Sequence, residues 1–396
     1  MINRKSRLAG WLASIAVTIA LVGCTHGRGE SARSASEPAT VPVYIGTFTG
    51  KGSQGIYLLW MNTRTGQLSA PTVAAQAQSP SYLAIPSDGK FLYSVNELDD
   101  WNGHPSGGVS AFSISNDYKT LTLLNQQPSG GRGPTYISLD HTGKVALVAN
   151  YSGGSDASFP IDDEGRLKEP ASVDQHQGHG SNPSRQEGPH AHCFDVDPGN
   201  HFALCCDLGL DKVFVYHLNV GDGKLTPASQ PSFSVPPGSG PRHLAFSRDG
   251  RFVYVINEIK STVTVFSYDA NDGSAQELET ISTLPADFHG QSTCAEIAIE
   301  PSGRFLYGSN RGHDSIAIFA IDPRNGTIKP AGHVSTEGKN PRGFGIDRSG
   351  RFLIAANQDS NNLVVFKIDP KNGALTPTEG AANVPTPVCV TFPPMK

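Results

Sequence analysis

The chain of 396 residues has no Cys-x-x-Cys pair among its six cysteines, which removes the zinc-ribbon and dithiol redox readings. No run of lysine and arginine occurs, and the formal net charge is −5, the wrong sign for a nucleic-acid binder. Candidates for long helices are few, whereas 43 glycines and 29 prolines punctuate the sequence. That punctuation fits a chain of short strands and turns. No Trp-Asp signature is present, which excludes the commonest repeat of that kind.

What stands at the N-terminus is a leader. Arg4, Lys5 and Arg7 precede Leu8–Val22, a mostly apolar run of fifteen residues without charge. A stable bilayer span needs about 20, so residues 1–23 read as a signal peptide. Leu21-Val22-Gly23-Cys24 resembles a bacterial lipobox, which implies that Cys24 becomes the lipidated first residue of the mature protein. Ordinary signal-peptide cleavage near the same place is the alternative. Residues 24–40, rich in Ser, Gly, Ala and Arg, read as a flexible tether, and residues 41–396 as the folded domain. The protein is therefore expected to be exported to the periplasm or anchored in the outer membrane, meeting a membrane only through its lipid. Removing 1–23 takes away three basic residues and no acidic ones, leaving 28 basic against 36 acidic.

The folded domain repeats one sentence. Residues 240–258 read GPRHLAFSRDGRFVYVINE, in which two alternating apolar runs flank an Asp-Gly turn. This is a hairpin signal, because glycine accepts positive φ without a Cβ clash. Residues 80–97, 134–151 and 341–358 repeat it closely, and 189–207 and 294–311 more loosely, with Asn200 standing where the turn glycine belongs. Each hairpin is followed by a second pair of apolar runs, such as Val263–Phe266 and then Leu278–Thr283. The turn glycines Gly89, Gly143, Gly250, Gly303 and Gly350 are spaced by 54, 107, 53 and 47 residues, the long interval spanning Asn200. Seven four-strand antiparallel units at a period near 50 predict an all-β fold, a seven-bladed β-propeller. The unpartnered run Val43–Thr47 and the final copy Val388–Phe392 are expected to pair and close the ring. Cys193, Cys205 and Cys206 replace buried template positions and read as small hydrophobes. A disulfide in an oxidising compartment stays open, with an odd thiol left over.

Such a topology sorts the loops. With strands A to D numbered from the axis outward, the A–B and C–D turns share one face, and the A starts and B ends share the other. Function is expected on the second face. The B ends carry Asn or Asp and then a residue that changes from blade to blade: Glu97, Tyr151, Glu258, Arg311 and Gln358 among them. The recurring Asn is expected to cap backbone groups. The A starts bring His190, His192, Arg242, His243 and Arg342. Arg242, Glu258, Arg311 and His190 would then share the channel mouth. Two arginine forks suit an anion or a developing oxyanion, and a carboxylate suits a general base. A structural salt-bridge ring is the competing reading. His190 and His192, two apart on a strand, could share a metal with His313, but no carboxylate–histidine spacing typical of zinc accompanies them, and neither metal nor other cofactor is expected. The segment 174–188 crosses this face as a lid or simply as a long loop.

Across residues 41–393 the sequence resembles the lactonase family of seven-bladed propellers, typified by the propeller-type 6-phosphogluconolactonases. The resemblance rests on YIGTFT (44–49), QEGPHAH (186–192), DLGLDKV (207–213), PRH (241–243), NE (257–258) and SNRGHDSIA (309–317). It implies a lactone hydrolase. A muconate-lactonising relative has a proposed site of one His, two Arg and one Glu, which by motif are similar to His190, Arg242, Arg311 and Glu258. On that basis Arg242 and Arg311 hold the anionic group and oxyanion, Glu258 activates water and His190 protonates the leaving oxygen. His192, His243, His313 and Arg342 are expected to bind substrate, a small lactone or carboxylate. The alternatives are a lactonising or cycloisomerising enzyme, and a non-catalytic envelope propeller that binds a glycan or protein.

Overall fold

The computed structural model describes residues 38–50 and 52–395; the leader 1–23, Cys24 and most of the 24–40 tether lie outside them. Among the described residues there is no helix, and the strands form seven four-stranded antiparallel sheets. Six blades are continuous in sequence: 83–128, 134–175, 191–234, 241–282, 293–335 and 341–383. We number these 1 to 6. The seventh is composite, with Pro387–Thr391 innermost against Thr40–Thr47, then Gly55–Asn62 and Thr72–Gln76. Its closing register sets Tyr44 opposite Thr391 and Ile45 opposite Val390. The innermost strands touch in chain order, and Pro387–Thr391 completes the circle against Leu83–Ala84. The expected seven-bladed propeller and its closure are both present.

Sequence pattern explains how blades lock together. Tyr254 of blade 4 donates its hydroxyl to the Gly326 carbonyl of blade 5 at 2.9 Å, and Tyr307 of blade 5 does the same to Gly373 of blade 6 at 2.9 Å. Tyr93 repeats the contact with Gly165 at 3.0 Å. These C–D turn glycines sit at positive φ, and a Cβ on Gly326 would lie 2.3 Å from the Phe252 ring of the preceding blade. Glycine is required there twice over, for the backbone and for the ring. Each such buried phenylalanine contributes about 1.5–3 kcal/mol.

The outer strands depart from expectation in two blades. The runs at Gly66-Gln67-Leu68 and Gly165-Arg166-Leu167 make only single bridges, Met61 to Leu68 and Ile161 to Leu167. The fourth strands begin later, at Thr72 and Ser172, because an edge strand with one neighbour is weakly specified by its own pattern. The recurring Asn residues are buried, and four of them hold backbone: Asn96, Asn150, Asn310 and Asn357 donate to the carbonyls of Gln78, Ser129, Thr283 and Thr336 at 2.7–3.1 Å, whereas Asn257 donates to the Thr262 and Thr264 hydroxyls at 2.9 Å. Cys193, Cys205, Cys206, Cys294 and Cys389 are buried free thiols.

Candidate active site

A starts and B ends enclose a cavity of about 360 Å³ on the axis, within the size range of small-molecule sites. Its hub is Glu258, at the end of strand Phe252–Asn257. Arg242 Nε donates to Glu258 Oε2 at 2.9 Å, and Arg311 Nη2 reaches the same oxygen at 2.8 Å. Arg185 Nη2 donates to the other oxygen at 2.5 Å. Burial alone would raise the Glu258 pKa, but the three guanidiniums outweigh it and hold the carboxyl at about 2.

The arginines are themselves fixed. Arg242 is 2% exposed and also donates through Nη1 to the Ala295 carbonyl at 2.7 Å and to His243 Nε2 at 3.1 Å. Burial and the neighbouring Arg311 and Arg342 bring it down to about 10, so it stays cationic at neutral pH. Because a guanidinium only donates, His243 Nε2 must accept. Its Nδ1 then donates to Glu296 Oε1 at 2.8 Å. Arg311 Nη2 donates to the Cys294 carbonyl at 2.8 Å, while its buried Nε has no partner among the described residues.

On the blade 1 side stand Glu97 and Arg342, 3.8 Å apart, with the Arg342 guanidinium 5.2 Å over the Phe48 ring. Arg185, Arg311 and Arg342 thus line the cavity with the carboxylates of Glu97 and Glu258, and the buried Arg242 backs Glu258. The cavity's field is positive, which suits an anionic or oxyanion-forming ligand. One step deeper, the stacked rings of Tyr82 and Tyr136, 4.1 Å apart, meet the edge of His243.

The expected histidines divide. His192 is 3% exposed, lines the cavity and leaves Nδ1 without a partner. Burial, with Arg242 beside it, pushes its pKa well below the usual range, so the ring is neutral. His190 does not line the cavity. It stacks on Tyr151 at 4.6 Å and turns Nδ1 to the Tyr151 carbonyl and Nε2 to Glu187. Tyr151 touches both rings, and the strand register shifts between Ala191 and Cys193, so simple alternation does not bring His190 and His192 to one point. His313 lies apart, against Phe288 and His333 with Nδ1 2.6 Å from Ser315 Oγ.

Segment 174–188 supplies Arg185, which sequence reasoning missed because a long polar loop carries no periodic signal. Two buried anchors hold the loop. Gln186 donates from Nε2 to the Leu208 carbonyl at 2.9 Å. His176 lies between Asp207 Oδ2 at 2.7 Å and Asp156 Oδ2 at 3.0 Å, with all three side chains fully buried. Asp156, His176 and Cys205 cluster closely enough to consider a metal, but both His176 nitrogens already face carboxylates. Burial opposes a charge on His176; the two carboxylates outweigh it and lift the pKa to about 9. A folded pKa above the unfolded value of about 6.5 means the His176 contribution is complete below pH 6.5 and lost as pH rises through 9. Urea denaturation at pH 6, 8 and 9.5 is expected to show that decline in the wild type and a smaller one in His176→Gln. Parallel curves for the two proteins would contradict it.

The model of the lactonase seven-bladed β-propeller family matches residues 42–392. A 6-phosphogluconolactonase of Bacillus subtilis is 38% identical over 349 residues, covering 88% of this chain and 97% of that protein. Another 6-phosphogluconolactonase, from Formosa agariphila, is 35% identical over 77% of this chain and 86% of its own. Among solved structures, the periplasmic gluconolactonase of Pseudomonas aeruginosa superposes with a TM-score of 0.85 at 33% identity, covering 90% of this chain and 100% of that one. Fold, closure and match over nearly all of the folded chain agree: the protein belongs to the lactonase family of seven-bladed β-propellers.

Proposed function

We propose that the protein is an exported enzyme that hydrolyses a sugar lactone in the axial cavity. The observation that carries this reading is the cluster of Arg185, Arg242 and Arg311 on Glu258 at 2.5–2.9 Å, with Arg185, Arg311 and Arg342 lining the cavity. Fixed guanidiniums aimed into a small cavity stabilise the oxyanion that forms when water adds to a lactone carbonyl. Relatives named 6-phosphogluconolactonase and gluconolactonase support the same chemistry.

The roles divide by geometry. Arg311, with its unpartnered Nε, and Arg242 hold the carbonyl oxygen. Arg342 and Arg185 meet substrate anion or hydroxyl groups from the rim. The neutral His192, with Nδ1 unpartnered, bonds a substrate hydroxyl. Glu258 orients the arginines. A carboxylate held at about 2 is a weak base, which favours this orienting role over the water activation expected from its sequence position. His190, turned toward Tyr151 and Glu187, is better placed to support the cavity wall than to protonate a leaving oxygen.

Export is read from residues 1–23 and the lipobox-like Cys24, and a relative is named as periplasmic. Outside the cytoplasm an unphosphorylated lactone is the more accessible substrate. The test is stopped-flow hydrolysis of glucono-δ-lactone and 6-phosphoglucono-δ-lactone with spontaneous opening subtracted. The reading expects saturable catalysis, with glucono-δ-lactone accepted. No rate above background with either lactone would overturn it.

A further inference from the structure

The cavity holds two carboxylates in opposite environments, one buried and one half-buried. Glu258 belongs to blade 4 and has both oxygens occupied by guanidiniums. Glu97 ends strand Phe91–Asn96 of blade 1, three blades round the ring and so across the axis. It lines the same cavity with 19% of its side chain exposed. Among the described residues its only close side-chain partners are the Ser81 hydroxyl, which donates to Oε2, and Arg342 at 3.8 Å from Oε1. Oε1 therefore has no short hydrogen bond and can take one from a water in the cavity.

We propose that Glu97 is the general base of lactone opening, an inference that rests on the hydrolase reading. The Glu97 carboxylate takes a proton from water as the water oxygen bonds to the lactone carbonyl carbon. The carbonyl π pair moves to its oxygen, held by Arg242 and Arg311 on the far side. Collapse re-forms the carbonyl and breaks the ring C–O bond, and the leaving alkoxide takes the proton from Glu97. The product is the open hydroxy acid, and the carboxylate is regenerated. Base and oxyanion donors thus reach the carbonyl from different blades.

The surroundings of the two acids push them apart, the pattern that separates acid–base roles in paired carboxylates. Burial raises the Glu97 carboxyl above 4.5, against the lowering effects of Arg342, the Ser81 bond and Arg242, and with a small raising effect from Asp99. Of the remaining charges round the cavity, Arg185 and Arg311 outnumber Glu258 by one positive charge, and His192 is neutral. Glu97 is therefore more basic than Glu258, as a base must be.

Steady-state kinetics on glucono-δ-lactone test this with wild type, Glu97→Gln and Ser81→Ala. Glu97→Gln is expected to lose about 10²–10⁴ in kcat with little change in KM, and to lose the acid limb of the wild-type kcat–pH profile. Ser81→Ala removes a bond to the charged form, so its acid limb moves to higher pH. A Glu97→Gln enzyme within threefold of wild type, or an acid limb that persists in it or stays put in Ser81→Ala, overturns the proposal. If the wild type itself shows no hydrolysis above background, the hydrolase reading falls instead.

Discussion

Arg242→Ala is expected to lower kcat/KM for lactone opening by about 10²–10³, the cost of removing one fixed oxyanion donor. The fold should survive, because Glu258 keeps Arg185 and Arg311 as partners. Arg242→Lys distinguishes charge from geometry. Arg242 bonds three acceptors at once, at Glu258, His243 and the Ala295 carbonyl, and a lysine ammonium lacks the planar fork to span them. Arg242→Lys is therefore expected to fall nearer to Arg242→Ala than to wild type. Its stability should be little changed by comparison with its rate. Full activity in Arg242→Lys would mean that only a positive charge is needed. An unaltered rate in Arg242→Ala would make the cluster a salt-bridge brace between blades.

Glu258→Ala should have the larger effect on the protein itself. Removing the carboxylate leaves Arg242, Arg311 and Arg185 facing one another in a largely buried site. Taking away one partner of a buried ion pair costs about 3–5 kcal/mol because the remaining charge is uncompensated. Three guanidiniums without a hub should also lose their aim, with kcat/KM falling by at least about 10²-fold. The wild-type pH dependence follows from the same group. Its folded pKa of about 2 lies below the unfolded value of 4.5, so its stabilisation is present above pH 4.5 and lost as pH falls toward 2. Denaturant titrations at pH 7 and pH 3 should show a smaller acid loss for Glu258→Ala than for wild type. Equal losses would place the acid-sensitive charge elsewhere.

Much of this architecture is written locally. The Asp-Gly hairpins specify strands A and B, because turn chemistry and period-2 alternation act over a few residues. Their copies fix the blade number, and the unpaired terminal runs require the closure between Tyr44 and Thr391 that the structure contains. The loop sorting followed from topology and brought Arg242, Glu258 and Arg311 together on one face. Three features were not legible. Arg185 reaches Glu258 through a loop held by His176 and Gln186, contacts 20 or more residues distant in sequence. The register shift between Ala191 and Cys193 decides that His192 and not His190 lines the cavity. Glu97 and Glu258 follow the same Asn at equivalent strand ends, and only their neighbours from other blades make them different.

The central claim is that this positive axial cavity opens lactones. Stopped-flow hydrolysis of glucono-δ-lactone by the purified wild-type protein, with Arg242→Ala alongside and spontaneous opening subtracted, tests it most directly. The account predicts saturable hydrolysis by the wild type and a loss of about 10²-fold or more in the variant. A wild-type rate equal to background with this lactone and its 6-phosphate would contradict it.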